Sequence, residues 1–143
     1  MAPSAQASPP EAADSEYEDL LGQWSDLESA LSVLLARPRS VQNFPSKLRQ
    51  CDLWLQDLVA HDIDAALYLM LQLAATSTVG YSASHALVCA TLCHILAPEF
   101  RLPAHERNSL VRAAFTMNIG MTALQDTLAL QREELTPEQQ HAV

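Results

Sequence analysis

Residues Tyr81 to Met121 read YSASHALVCATLCHILAPEFRLPAHERNSLVRAAFTMNIGM, and this stretch decides the fold. Its first half is dense in Ala, Leu and small polar residues and predicts a helix that starts at a Ser82 cap and ends near Pro98. Proline lacks the N–H that a helix interior needs, so Pro98 and Pro103 mark a connection. A second helix is expected from about Pro103 to about Met117, with Leu110, Val111, Ala114 and Phe115 inward. Arg101, Glu106, Arg107 and Arg112 are expected to face water. Met117-Asn118-Ile119-Gly120 closes the stretch, with Gly120 expected to end the helix.

Two motifs here carry a family resemblance. Tyr81-Ser82-Ala83-Ser84-His85-Ala86 fits Y-[ST]-x-x-H-[SA], and Met117 to Met121 keeps the frame of H-D-I-G-K. The chain resembles the HD superfamily of metal-dependent phosphohydrolases, and within it the HD-GYP-like branch. The resemblance implies an all-α fold, bacterial-type signalling, and phosphohydrolase or cyclic-dinucleotide phosphodiesterase activity with iron or manganese. Some members place a metal-bridging Glu four residues before the His; Tyr81 stands there instead. Leu135-Thr136-Pro137-Glu138 matches the start of a later family helix, which runs on to further metal-binding His and Asp. That match stops at Val143, so the chain is expected to be the N-terminal part of a longer protein.

Within the frame the chemistry is changed. Met117 and Asn118 stand where the family has its adjacent His and Asp, and Met121 where it has Lys. Imidazole and carboxylate hold a hard divalent ion through a basic lone pair or a full charge. An amide offers only a carbonyl dipole, and a thioether prefers soft ions. His85 alone survives as a candidate metal ligand, too little to hold a hydrolytic metal or acidify its water. The degenerate motif is Met117, Asn118 and Gly120, and no catalytic residue or cofactor is expected.

Two functional readings follow. One is a degenerate HD-GYP-like module, non-catalytic, that regulates an attached domain or binds a protein. The other is a metal-dependent phosphohydrolase whose remaining ligands lie beyond Val143.

Other candidate ligands have plainer readings. His85, Cys89 and Cys93 share a helix face at four-residue spacing, with His94 adjacent, and such donors suit zinc. Ala86, Val88, Ala90, Leu92 and Leu96 surround them, and a free Cys is usually a small buried apolar group. His61-Asp62 is a literal H-D pair, but it precedes the His85 motif and Asp62 is a natural helix cap. His105 and His141 are expected on the surface. There is no G-x-S-x-G, no phosphate-binding Gly loop and no H-E-x-x-H.

The totals agree with a helical domain. Of 143 residues, 49% are apolar, 17% are charged and three are Gly, which favours helix. A net charge of −9 argues against a nucleic-acid or anionic-membrane partner. Three Cys with no framework spacing, and no export signal, point to the cytoplasm. Nothing between Asp64 and Glu99 is charged, yet polar residues interrupt it, so two core helices joined by a turn are expected rather than a membrane span.

Working outward, residues 1–14 lack periodicity and are expected to form a disordered tail, with residues 15–143 as one helical domain. Ser15 and Glu18 make a capping box for a first helix. Tyr17, Leu20, Leu21, Trp24, Leu27, Leu31, Leu34 and Leu35 recur at helical spacing and either pack at home or form a dimerisation or partner face. Glu16, Glu18, Asp19, Asp26 and Glu28 are assigned to its solvated faces. A second helix is expected from Phe44 to His61, with Leu48, Cys51, Leu55 and Leu58 inward and Asp52 among its surface residues. A third, from Asp62 to about Ala75, has Ile63, Leu67, Met70, Leu71 and Ala74 inward and is expected to be central, at the start of the HD-like core. Thr122 to Arg132 allows a short helix, and Thr136-Pro137-Glu138-Gln139 starts another. The expectation is an all-α bundle of about six helices.

Overall fold

The computed structural model describes residues 10–143, with side-chain surroundings from Asp14 onward. Seven α-helices follow in order: α1 Pro10–Ala36, α2 Phe44–His61, α3 Ile63–Thr76, α4 Tyr81–Leu96, α5 Ala104–Thr116, α6 Thr122–Leu130 and α7 Pro137–Ala142. A short 3-10 turn, Pro38–Ser40, links α1 to α2. No strand occurs among the described residues. The all-α expectation holds, with one helix more than the six anticipated.

Helix α1 begins before the expected cap. Pro10 opens it and Glu11, Ala12 and Ala13 continue it, a proline and an acid in the first turn followed by good helix formers. Ser15 and Glu18 therefore lie inside α1, which also takes in residues 10–14; the rest of the tail expectation falls on residues 1–9, outside the described residues. From Trp24 onward the apolar stripe of α1 packs at home, while Tyr17 at its start is 37% exposed. Trp24, Leu27, Leu31, Leu34 and Leu35 are buried in one core with Leu55 of α2, Met70 of α3, Leu87 of α4 and Phe115 of α5. Burying each such side chain contributes about 1.5–3 kcal/mol relative to exposure.

The central helix is α4, not α3. It packs against α1, α2, α3, α5 and α6. Small side chains at Ala83, Ser84, Ala86 and Ala90, all buried, let neighbouring helices come close. Helix α3 buries Ala66, Leu69, Met70 and Leu73. Its expected inner residues Ile63 and Leu71 are more than half exposed, and Ala74 is exposed too. A helix apolar on nearly every side gives periodicity little power to choose a face. Leu110 of α5 also turns out to be exposed at 43%.

Local signals place the ends well. The Asp62 carboxylate accepts from the Ala65 N–H at 2.9 Å and caps α3. Thr136 and Gln139 form a reciprocal capping box at α7. After α4 the chain closes in a Schellman turn: Leu102 N–H donates to Ala97 O at 3.0 Å and Arg101 N–H to Pro98 O at 2.9 Å, with Arg101 at φ 54. Gly120 is not a helix stop of that kind. Helix α5 has already ended at Thr116, and Gly80 is the only positive-φ glycine among the described residues.

Ser82 is not the cap of α4 either. Gly80 precedes the helix and caps nothing through a side chain. Asp126 of α6 does the work from a distance, accepting the Ser82 N–H at 2.7 Å. A carboxylate there satisfies an orphan donor and suits the positive end of the helix. No described helix is long and apolar enough to cross a membrane. The uncharged stretch divides into α3 and α4 around the Ser77–Gly80 turn, as expected.

Candidate functional site

His85 stands one turn into α4, and the chain leaving α5 carries Met117 and Asn118 back toward it. His85, Met117 and Asn118 line one cavity, with Ser82, Phe115 and Ile119 also in its wall. The two halves of the sequence motif thus meet in space. Its volume is ≈ 10 Å³, about the least that holds one water.

The His85 ring is partly buried and stacks on Tyr81, with centroids 5.2 Å apart and planes 12° apart. Its Nε2 lies 3.7 Å from Cys89 Sγ. Met117 is 52% exposed, and Gly120 sits exposed in the turn beyond. Among the described residues, no group of three or more His, Cys, Asp or Glu side chains gathers to hold a metal. One imidazole, one amide and one thioether do not match the donor set that iron or manganese needs. The residues present do not fit the metal that the resemblance implies.

The zinc-like spacing on α4 resolves into packing. Cys89 and Cys93 lie against the core, and burial pushes both thiols up from their ordinary range, with Cys89 adding to the effect at Cys93. A thiol held protonated is a poor metal ligand. His61 is at the surface, 3.6 Å from Glu16, while its neighbour Asp62 caps α3. His105 and His141 are exposed.

Asp52, expected at the surface of α2, instead centres a second polar cluster. Asp52 of α2 is 1% exposed. Its Oδ1 meets His94 Nε2 of α4 at 2.8 Å and accepts from Gln56 at 3.1 Å. Arg112 of α5 keeps a side chain 43% exposed, while its Nε faces Asp52 Oδ2 at 3.8 Å. Burial holds the His94 pKa below the usual imidazole range, against the upward pull of Asp52. The neutral ring then donates its Nε2–H to the carboxylate, a charge-assisted bond. His94 and Arg107 also border an open cleft of ≈ 370 Å³.

Glu28 of α1 behaves in the same way. At 1% exposure it accepts from Ser77 Oγ at 2.8 Å and from Ser84 Oγ. A signal for both residues existed in the sequence. Asp52 falls four residues after Leu48 and three before Leu55, inside the apolar stripe of α2. Glu28 holds the matching place between Trp24 and Leu31. An acid within an apolar stripe is a buried acid seeking partners.

A scan against protein-family models gives no match, and no curated protein or solved structure matches the chain.

Proposed function

We propose that this chain is a degenerate HD-GYP-like domain that works without catalysis, as a cytoplasmic regulatory or protein-interaction module. One observation carries the reading: His85, Met117 and Asn118 converge on one cavity, where a hydrolytic site would need imidazole and carboxylate donors. The cavity, ≈ 10 Å³, also falls far short of the few hundred cubic ångströms a small-molecule site occupies. The frame is kept and the ligands are replaced, which fits a fold retained for its surface.

The test is metal analysis of the purified chain after incubation with iron(II) or manganese(II), beside an assay on a cyclic dinucleotide. Substoichiometric metal and no hydrolysis are expected, and His85→Ala should change neither. One or two ions per chain, together with hydrolysis abolished by His85→Ala, would return the protein to the metal-dependent phosphohydrolases.

A further inference from the structure

Between the last turns of α1 and the first half of α2 lies an open groove of ≈ 670 Å³. Its apolar walls are Ala30, Val33 and Leu34 of α1, Val41 of the connection, and Cys51 and Trp54 of α2. Val33 is 68% exposed, and Trp54 is half-buried with its ring at the groove. Large apolar groups left to water in a concave site mark a place where another molecule sits.

The charge around the groove indicates which molecule. Lys47 lines it, and Arg37, Arg39 and Arg49 stand exposed close by along the chain. These are four of the eight Lys and Arg residues in a chain of net charge −9. No Asp or Glu occurs between Glu28 and Asp52, and those two acids are buried. The groove has an apolar floor with Lys47 as the one charged residue in its wall, and the exposed charges between the two buried acids are all positive.

Such a site complements a helix with apolar residues on one face and carboxylates beside them. The span from Lys47 to Trp54 runs about 10 Å along α2, room for about two turns of a partner helix. A long polyanion or an anionic bilayer would also meet the acidic remainder of the molecule and be repelled. A short acidic helix in the groove meets Lys47 without reaching that remainder.

We propose that the α1–α2 groove docks an acidic amphipathic helix of a partner protein; this rests on the interaction-module reading above. The probe is a designed peptide of about 16 residues, ~24 Å as a helix, with Leu and Phe on one face and Glu on the rest. Controls are its Lys-for-Glu counterpart, a scrambled acidic peptide, duplex DNA and phosphatidylserine vesicles. Binding is read by tryptophan fluorescence and by amide shift mapping on the full chain. The acidic amphipathic peptide should bind, shift α1 and α2 resonances, and bind about tenfold more weakly to Lys47→Glu. Trp54→Ala should also weaken it, and Lys47→Glu keeps the test sound if that variant fails to fold.

Equal binding of the scrambled peptide, tighter binding of the basic peptide, or shifts outside α1 and α2 would overturn the proposal. Preferred binding of DNA or vesicles would overturn it too, as would salt-sensitive self-association through the groove, which would assign the site to a second copy. Metal-dependent hydrolysis in the separate assay would remove the non-catalytic reading while leaving peptide binding to be judged by itself.

Discussion

The buried carboxylate of Asp52 on α2 lies 2.8 Å from His94 Nε2 on α4, and both residues are under a tenth exposed. Arg112 brings α5 to the same carboxylate, so one acid ties three helices together. Replacing it leaves the buried His94 N–H without its acceptor and removes the charge that Arg112 Nε faces at 3.8 Å. Asp52→Ala should cost about 3 kcal/mol in urea denaturation, since a buried pair broken on one side strands the other partner. Asp52→Asn keeps an acceptor and should cost less.

His94 also makes stability depend on pH. Burial holds its folded pKa below the usual imidazole value despite the raising effect of Asp52. An unfolded chain takes up a proton near pH ~6.5 that the folded protein resists. Stability from this group is therefore complete above that pH and is lost as pH falls toward the lower folded pKa. Urea midpoints should fall between neutral and mildly acidic pH, and His94→Gln should flatten that slope.

Glu28 holds the start of α4 and the α3–α4 turn to α1 through Ser84 and Ser77. Glu28→Ala would leave the buried Ser84 hydroxyl and the half-buried Ser77 hydroxyl without an acceptor and open a void, at a cost of about 2–4 kcal/mol. Thermal unfolding by circular dichroism would measure it. Glu28→Gln should lose less, and Glu18→Ala, at an exposed position, should be near neutral.

Gly80 is needed for two reasons. It has φ 138, and a Cβ there would sit 2.9 Å from Asp126 Oδ2. That carboxylate caps α4, so Gly80→Ala should strain the backbone and displace the cap, costing about 1–3 kcal/mol. Asp126→Ala should cost about 1 kcal/mol, the usual value of a lost cap. The double variant should lose less than the sum, because both changes strike one contact.

Burial raises the pKa of Cys51, Cys89 and Cys93. Thiolate is the reactive form, so all three should react with a thiol reagent at neutral pH more slowly than a free cysteine. Full reactivity should return in denaturant. Fast labelling of Cys89 or Cys93 in the folded protein would contradict the packing described for α4.

Much of this fold was legible along the chain because its signals are local. Caps such as Asp62 and Thr136, the proline breaks and the spacing of Trp24, Leu27, Leu31 and Leu35 act within a few residues. They place helices without reference to the rest of the molecule. The residue types at His85, Met117 and Asn118 could be read in the same way, while their convergence on one cavity could not.

What the sequence determined by itself was the run of helices and the donor types on offer at His85, Met117 and Asn118. Only the tertiary structure decided which helix is central, which face of α3 is inside, and which groups Asp52 and Glu28 meet in the core. Their partners lie 42 and 56 residues away. Periodicity can put an acid on the inward face of its helix, but it carries no information about a neighbour supplied by a distant segment.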